Sequence, residues 1–337
     1  MEFLKTKKLI EMMVASKIVP GVNYLIFKNN DVWQNTVGLS QIIPQPVPLK
    51  ADAIYDLASL TKVIGTTNVL LKLADEGKIA FNDTLKMYLP EFLDKRVKLS
   101  DLLTHTSGIK GWIANRDQLN ARELLQAIIN LPVTEEFEHK VRYADTNFIL
   151  LGLVLEKIYQ QDLQDIIMHE VIKPAGLKAT SFAPDANKTV PTAMNQQGIM
   201  LCGVVHDPKA RVLGKSCGSA GLFSNIADLY RLAQGYVGLR DDILPFGSAT
   251  LSELYKIKTP AKLHARSWGW DLCFDPSDHH TLIYHTGFTG TFMLLDKVKK
   301  TGLIVLTNRI YPSGHNLIFL KMRQKIIESF LLENSII

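Results

Sequence analysis

Two apolar-rich runs, Val22–Lys28 (VNYLIFK) and Val32–Gly38 (VWQNTVG), flank the turn residues Asn29-Asn30-Asp31. Short runs of this kind around a polar turn predict a β-hairpin. Before them, Leu4–Ala15 has the spacing of an amphipathic helix that stops ahead of Pro20-Gly21. A helix is also expected from Ser59 to Glu76, with Gly77 as its C-terminal cap. From about 80 to 185 the pattern is mostly helical. Leu99–Ile109 (LSDLLTHTSGI) reads as a short helix with Ser100 as N-cap, while Asn120–Leu131 and Thr146–Asp162 read as amphipathic helices. Asn225-Ile226-Ala227-Asp228 opens a further helix. The last quarter changes character. Ser267–Phe274, Thr281–Gly287, Gly290–Lys297 and Gly302–Asn308 are four strand-like runs, and a helix from about Asn316 to Leu332 follows.

Strands therefore sit at both ends of the chain and helices in the middle. The simplest arrangement is an α/β (α+β) fold forming a single domain over 1–337. One antiparallel sheet would join the N- and C-terminal strands and be flanked by helices, with a mostly helical lobe inserted. The α/β lobe is expected over about 1–58 and 215–337, and the helical lobe over about 59–214. Functional groups would collect in the cleft between them. The loops near 110–120 and 185–215 are expected to line it.

Composition narrows the function classes. Of 337 residues, 47% are hydrophobic and 21% charged, which is ordinary for a globular protein, and the net charge is only +5. Lysines and arginines are scattered, with pairs such as Lys7-Lys8 and Lys299-Lys300 at most, so a nucleic-acid groove is not expected. Three cysteines, Cys202, Cys217 and Cys273, do not suggest a disulfide framework. The first residues lack the uninterrupted apolar core and cleavage site of a signal peptide. No stretch of about 18 apolar residues occurs to span a membrane. A cytoplasmic location is the expectation, and the oligomeric state is left open.

Three short patterns could carry chemistry. Ser59 and Lys62 are three residues apart, so on a helix they share a face. A serine in the first turn of a helix beside a buried lysine amine is a plausible activated nucleophile. Tyr143 and Asp145 precede or open a helix, where Asp145 would serve as N-cap and Tyr143 could relay protons. His285-Thr286-Gly287 ends a strand, and Gly287 and Gly290 allow close backbone approach to a ligand. Each pattern alone has an ordinary structural reading: a helix face, a cap, a turn. Other matches fail on context. Gly214–Gly218 fits G-x-S-x-G, but no helix follows it directly. Lys209 stands where a P-loop needs glycine, and His169-Glu170 has Lys173 where a zincin needs histidine. The pair His279-His280 has no partner at metal spacing and reads as a solvent-facing turn.

Taken in order, Ser59-x-x-Lys62, Tyr143-x-Asp145 and His285-Thr286-Gly287 resemble the serine β-lactamase and penicillin-binding protein superfamily, in its class C-like branch. That branch includes class C β-lactamases, certain D,D-peptidases, D-aminopeptidases and type VIII esterases. Leu102–Ile109, Lys173–Phe182, Gly218–Ala233 and Leu306–Pro312 also look like recurring segments of it, so the likeness spans about residues 5 to 335. The resemblance implies a β-lactamase/transpeptidase-like fold and a serine hydrolase working through a Ser59 acyl-enzyme on an ester or amide. It implies proton transfer by Lys62 and Tyr143, and an oxyanion hole from the Ser59 and Phe288 amides. Asp145, His285, Thr286 and Gly287 would bind substrate. No metal or organic cofactor is implied, and the partner would be a small ester, peptide or β-lactam.

Two departures weigh on substrate. His285 replaces the lysine of the Lys-Thr-Gly motif in class C β-lactamases, and Ser219 stands where relatives often have histidine. Esterase or small-peptide hydrolase is therefore expected ahead of β-lactamase. The alternative is a catalytically silent sensor or binding domain on the same fold.

Overall fold

A computed structural model of the chain describes residues 2–194, 200–312, 314 and 316–336. Part of the long segment expected to line the cleft, 195–199, lies outside the described residues. The strands are β1 (Gly21–Lys28), β2 (Asp31–Gln41), β3 (Val47–Pro48), β4 (Tyr55–Asp56), β5 (Phe223–Ser224), β6 (Asp271–Phe274), β7 (Thr281–Thr286), β8 (Phe292–Asp296) and β9 (Thr301–Thr307). The helices are α1 (Leu4–Ala15), α2 (Thr67–Asp75), α3 (Leu85–Tyr88), α4 (Leu99–Leu103), α5 (Ala121–Ile129), α6 (Asp145–Tyr159), α7 (Leu163–Ile167), α8 (Pro208–Leu213), α9 (Ile226–Tyr236), α10 (Ser248–Glu253) and α11 (Leu317–Ile336).

Seven strands form one antiparallel sheet in the order β3-β2-β1-β9-β8-β7-β6, and β4 pairs with β5 in a separate ribbon. The expected hairpin is β1–β2, with Lys28 opposite Asp31. β1 also pairs with β9, Val22 opposite Thr307, so the first and last strands are neighbours. The strand period of two divides their side chains between two cores. Val22, Tyr24, Ile26, Phe292, Leu294, Leu303 and Val305 pack against α1 and α11, where Phe3 stacks on Phe330. Leu25, Phe27, Met293, Leu295, Ile304 and Leu306 face the helices of the middle of the chain. Burial on both faces explains why Phe292–Leu295 of β8 and Gly302–Leu306 of β9 are apolar runs without alternation.

Local expectations differ from the structure in four places. The helix after Ser59 begins with a π-helical turn, Lys62–Thr66, before α2. In α4 the N-cap is Lys98 rather than Ser100, because the Asp101 carboxylate reaches back to the Lys98 amide at 2.8 Å. Asp145 is the first residue of α6, with Ala144 at the cap, and its carboxylate turns to lysines instead. Only Asp271–Phe274 of the run from Ser267 is extended. No described helix is long and apolar enough to cross a membrane.

Candidate active site

The chain reaches Ser59 through a constrained turn. Leu57 donates to Leu222 O at 2.9 Å, and Ala58 takes the left-handed conformation at φ 46°. A non-glycine residue is rarely held there without support. Support comes from Asp56, whose buried carboxylate accepts from the Ala58 amide at 2.8 Å and the His206 amide at 2.7 Å. Burial pushes the Asp56 carboxyl up to about 6, against the pull of those two amides. Its carbonyl accepts from Thr289 Oγ1 at 2.8 Å, and Leu57 O accepts from Thr291 Oγ1 at 3.2 Å. The Ser59 turn is thereby fastened to the end of β7.

Lys62 is fully buried, and its amine donates to Ser59 Oγ at 2.8 Å, to Asp145 Oδ1 at 2.8 Å and to Ser219 O at 3.1 Å. An ammonium has three N–H groups, so each is engaged. Burial is the largest influence and pulls its pKa down, but Asp145 and the Tyr143 phenol outweigh it, and Lys62 stays above the ordinary lysine value. Burial likewise works against the Asp145 carboxylate. Lys62 and Lys209, the latter at 2.9 Å, hold it well below the usual carboxylate range. The pair is ionised at neutral pH.

Tyr143 lies across this group, with the Lys62 amine 5.0 Å and the Arg266 guanidinium 5.9 Å from its ring centre. Its partner in packing is His105, 4.4 Å between ring centres. His105 orders the segment before α6. Its carbonyl accepts from Arg142 N at 2.9 Å, and its Nδ1 accepts from Ala144 N at 3.2 Å. His105 is held neutral by burial, then by Arg266 and Lys62.

The end of β7 forms the facing wall. Gly287 presses so closely on this turn that a Cβ would strike Leu57 O and Thr291 Oγ1. Thr286, Gly287 and Phe288 join Ser59, Tyr143, Asp145 and Lys209 around a cavity of about 460 Å³. Arg116 and the run from His206 to Lys209 also border it, from the two loops expected there. Among the described residues, neither the Ser59 nor the Phe288 amide has a hydrogen-bond partner. Phe288 stacks with the His206 ring at 5.6 Å and lies against the Arg309 guanidinium at 4.6 Å, while Arg309 Nε donates to its carbonyl at 2.7 Å.

His285 occupies a different place from Thr286. It is buried behind the wall, beside a smaller cavity of about 160 Å³ shared with Tyr143 and Arg266. Its Nδ1 lies 3.1 Å from Thr286 O, and burial, then Arg266 and Lys62, keep the ring neutral. It presents no charge to the main cavity.

The family model named Beta-lactamase matches residues 6–322. The chain belongs to the Beta-lactamase family. A member of similar sequence is the "Putative D-alanyl-D-alanine carboxypeptidase" of Escherichia coli K12, 28% identical over 86% of this chain and 78% of that protein. Among solved structures, a class C beta-lactamase superposes with a TM-score of 0.80 at 16% identity, over 97% of this chain and 94% of the other. EstCE1, a hydrolase with promiscuous acyltransferase activity, superposes at 0.78 and 18%, over 97% of both. Such similarities establish the β-lactamase/transpeptidase-like fold, and the family is one of serine hydrolases.

Several residues of the site carry no motif. Asp56 of β4, His105 after α4, Arg309 after β9 and Arg323 of α11 sit where the fold brings separate segments together. His105 and Arg309 do fall within the segments that look like family repeats, which was the available signal. The pair His279-His280 differs from the solvent-facing turn expected of it. His280 is not a free turn residue: it bridges Asp278 and Asp296. Asp275, His280 and Asp296 place ligand atoms within 4.8 Å of one another, and Lys299 already meets Asp275 at 3.1 Å. These residues do not line the main cavity.

Proposed function

We propose that the chain is a serine hydrolase that forms an acyl-enzyme at Ser59 with an ester or small amide. The observation that carries this reading is the 2.8 Å contact between Ser59 Oγ and the buried, charged Lys62 amine. Lys62 donates to the hydroxyl oxygen, so the Ser59 proton is free to leave in another direction. Tyr143 receives it as Ser59 Oγ adds to the substrate carbonyl. The proton is taken by the phenolate form of Tyr143, which thereby becomes the phenol, and the Lys62 amine and Arg266 guanidinium lie 5.0 and 5.9 Å from the centre of its ring. The Ser59 and Phe288 amides receive the tetrahedral oxyanion. Tyr143 then passes the proton to the leaving group as the bond to it breaks. Water repeats the sequence on the acyl-enzyme, giving its proton to Tyr143 and its oxygen to the acyl group, and Ser59 is released.

Within this class, ester or small-peptide hydrolysis ranks ahead of β-lactam hydrolysis. His285 is buried and neutral, so it offers no cation where a Lys-Thr-Gly lysine would. The test is incubation with p-nitrophenyl esters, D-amino-acid amides, a chromogenic cephalosporin and a fluorophosphonate, followed by intact-mass measurement. Turnover of the esters, with a fluorophosphonate adduct that vanishes in Ser59→Ala, is expected. No turnover and no Ser59-dependent adduct with any of them would refute the proposal.

A further inference from the structure

β7 runs from Thr281 to Thr286, and only its second end meets the main cavity. At its first end the β6–β7 connection meets the β8–β9 connection and the end of α11. Asp275 and Asp296 are fully buried there, and the His280 side chain is only 14% exposed. One carboxylate oxygen from each aspartate and one His280 ring nitrogen lie within 4.8 Å of one another. Buried carboxylates are costly unless their oxygens are met. Asp275 Oδ1 accepts from the Ser277 amide at 2.8 Å and from its hydroxyl. The buried Oδ2 has no aligned hydrogen-bond donor among the described residues; the Lys299 amine, 3.1 Å away, pairs with it by charge alone.

The groups that point inward are held from behind. His280 Nδ1 faces Asp278 Oδ1, which fixes the ring with Nε2 turned toward Asp296 Oδ2 at 2.9 Å. Asp296 Oδ2 also accepts from Asn334 Nδ2 at 2.8 Å, and its Oδ1 from the Val298 and Lys299 amides at 2.9 and 3.0 Å. A carboxylate behind the histidine and donors behind the aspartates are the outer partners that orient metal ligands. We propose that Asp275 Oδ2, His280 Nε2 and Asp296 Oδ2 bind a divalent transition-metal ion of the zinc type, with water as fourth ligand. The imidazole selects such an ion over magnesium or calcium, which take oxygen ligands. On binding, the proton on His280 Nε2 leaves to solvent and the metal takes its place against Asp296. The Lys299 ammonium gives way at Asp275 and keeps its bond to Asn334 O at 2.8 Å. The ion ties the β6–β7 turn to the β8–β9 turn. None of its ligands lines the cavity at Ser59, so the inference is independent of the hydrolase reading.

Zinc titrated by calorimetry into chelator-treated protein tests the site. One ion per chain is expected, with a raised denaturant midpoint and no comparable uptake of magnesium. Affinity should fall roughly 10–100-fold in Asp278→Asn, which removes an outer partner, and by about 100-fold or more in Asp275→Asn and His280→Asn, which remove ligands. His279→Asn changes the exposed neighbour and should leave affinity as it was. Lys299→Met removes the competing charge without touching a ligand side chain, so it should bind zinc roughly 10-fold more tightly. That gain keeps the test decisive where a ligand variant fails to fold, since misfolding does not strengthen a specific site. No zinc uptake by the wild type, equal uptake of magnesium, or an affinity unchanged in folded Asp275→Asn or His280→Asn would overturn the proposal. So would a loss in His279→Asn as large as that in His280→Asn, or unchanged or weaker binding in Lys299→Met.

Discussion

At the scale of single residues, the proposed reaction turns on which group takes the Ser59 proton. Lys62 has no free lone pair while it donates to Ser59, Asp145 and Ser219. Asp145 is the first of the influences that hold it charged, so Asp145→Asn should unmask the downward pull of burial. The sign follows: wild-type Lys62 keeps its ammonium beyond the ordinary lysine value, and the variant loses it at lower pH. The alkaline limb of kcat/KM for a neutral ester should move to lower pH in Asp145→Asn. A limb that stays in place would mean that the Lys62 charge is not used. Asp56 governs the other limb. Its carboxyl sits at about 6, and as a carboxylate it accepts from both the Ala58 and His206 amides. Protonation removes an acceptor, so activity should decline as pH falls through about 6. Asp56→Asn should lower kcat and flatten that decline, since asparagine does not titrate. The opposite sign holds for stability: a raised carboxyl disfavours the folded state as pH rises toward 6, because the unfolded chain ionises more readily.

At the scale of elements, the site depends on how closely the end of β7 approaches the Ser59 turn. Gly287→Ala would drive a methyl group into Leu57 O and Thr291 Oγ1, both in the contact that joins the Ser59 turn to the segment after β7, whose amides form the proposed oxyanion hole. Displacement of reacting groups by an ångström can cost on the order of 10²-fold. A loss of that size in kcat/KM is expected, with the far-ultraviolet circular dichroism retained. Strand runs, the β1–β2 hairpin and the Asn225 cap are written locally, in side-chain period and turn chemistry. The pairing of Ser59 with Lys62 was legible for the same reason, since three residues on a helix is a local relation. The burial of His285 was not, because it depends on Arg266 and Trp270 packing from another segment. Nor was the π-helical turn at Lys62–Thr66, where Thr66 Oγ1 bonds to Gly218 O at 2.8 Å. Asp145 illustrates the competition directly: as a cap it would have served its own helix, but two lysines from distant segments claim its charge.

At the scale of the whole molecule, the first and last helices close the sheet that carries β7. α1 has no acidic residue in its first turn. Glu333 of α11 supplies one across the interface: its carboxylate accepts from the Lys5 and Thr6 amides at 2.9 Å each and from Thr6 Oγ1 at 2.6 Å. An anion at a helix N-terminus satisfies otherwise unpaired amides and meets the positive end of the helix dipole. Glu333→Ala therefore removes a cap supplied by the opposite end of the chain. The expected cost is about 1–2 kcal/mol, the range for losing an N-cap with its hydrogen bonds. It should appear as a lower denaturant midpoint. Thr6 and Ser329 are hydrogen-bonded and buried in the same interface, so Thr6→Val should act in the same direction by a smaller amount. Neither change touches the cavity that holds Ser59, and the β1–β9 pairing stands between the interface and the middle helices. Ester turnover per folded molecule at 25 °C should therefore match that of the wild type. A fall in turnover without a fall in midpoint would show that the helix pair shapes the site directly rather than holding the sheet together.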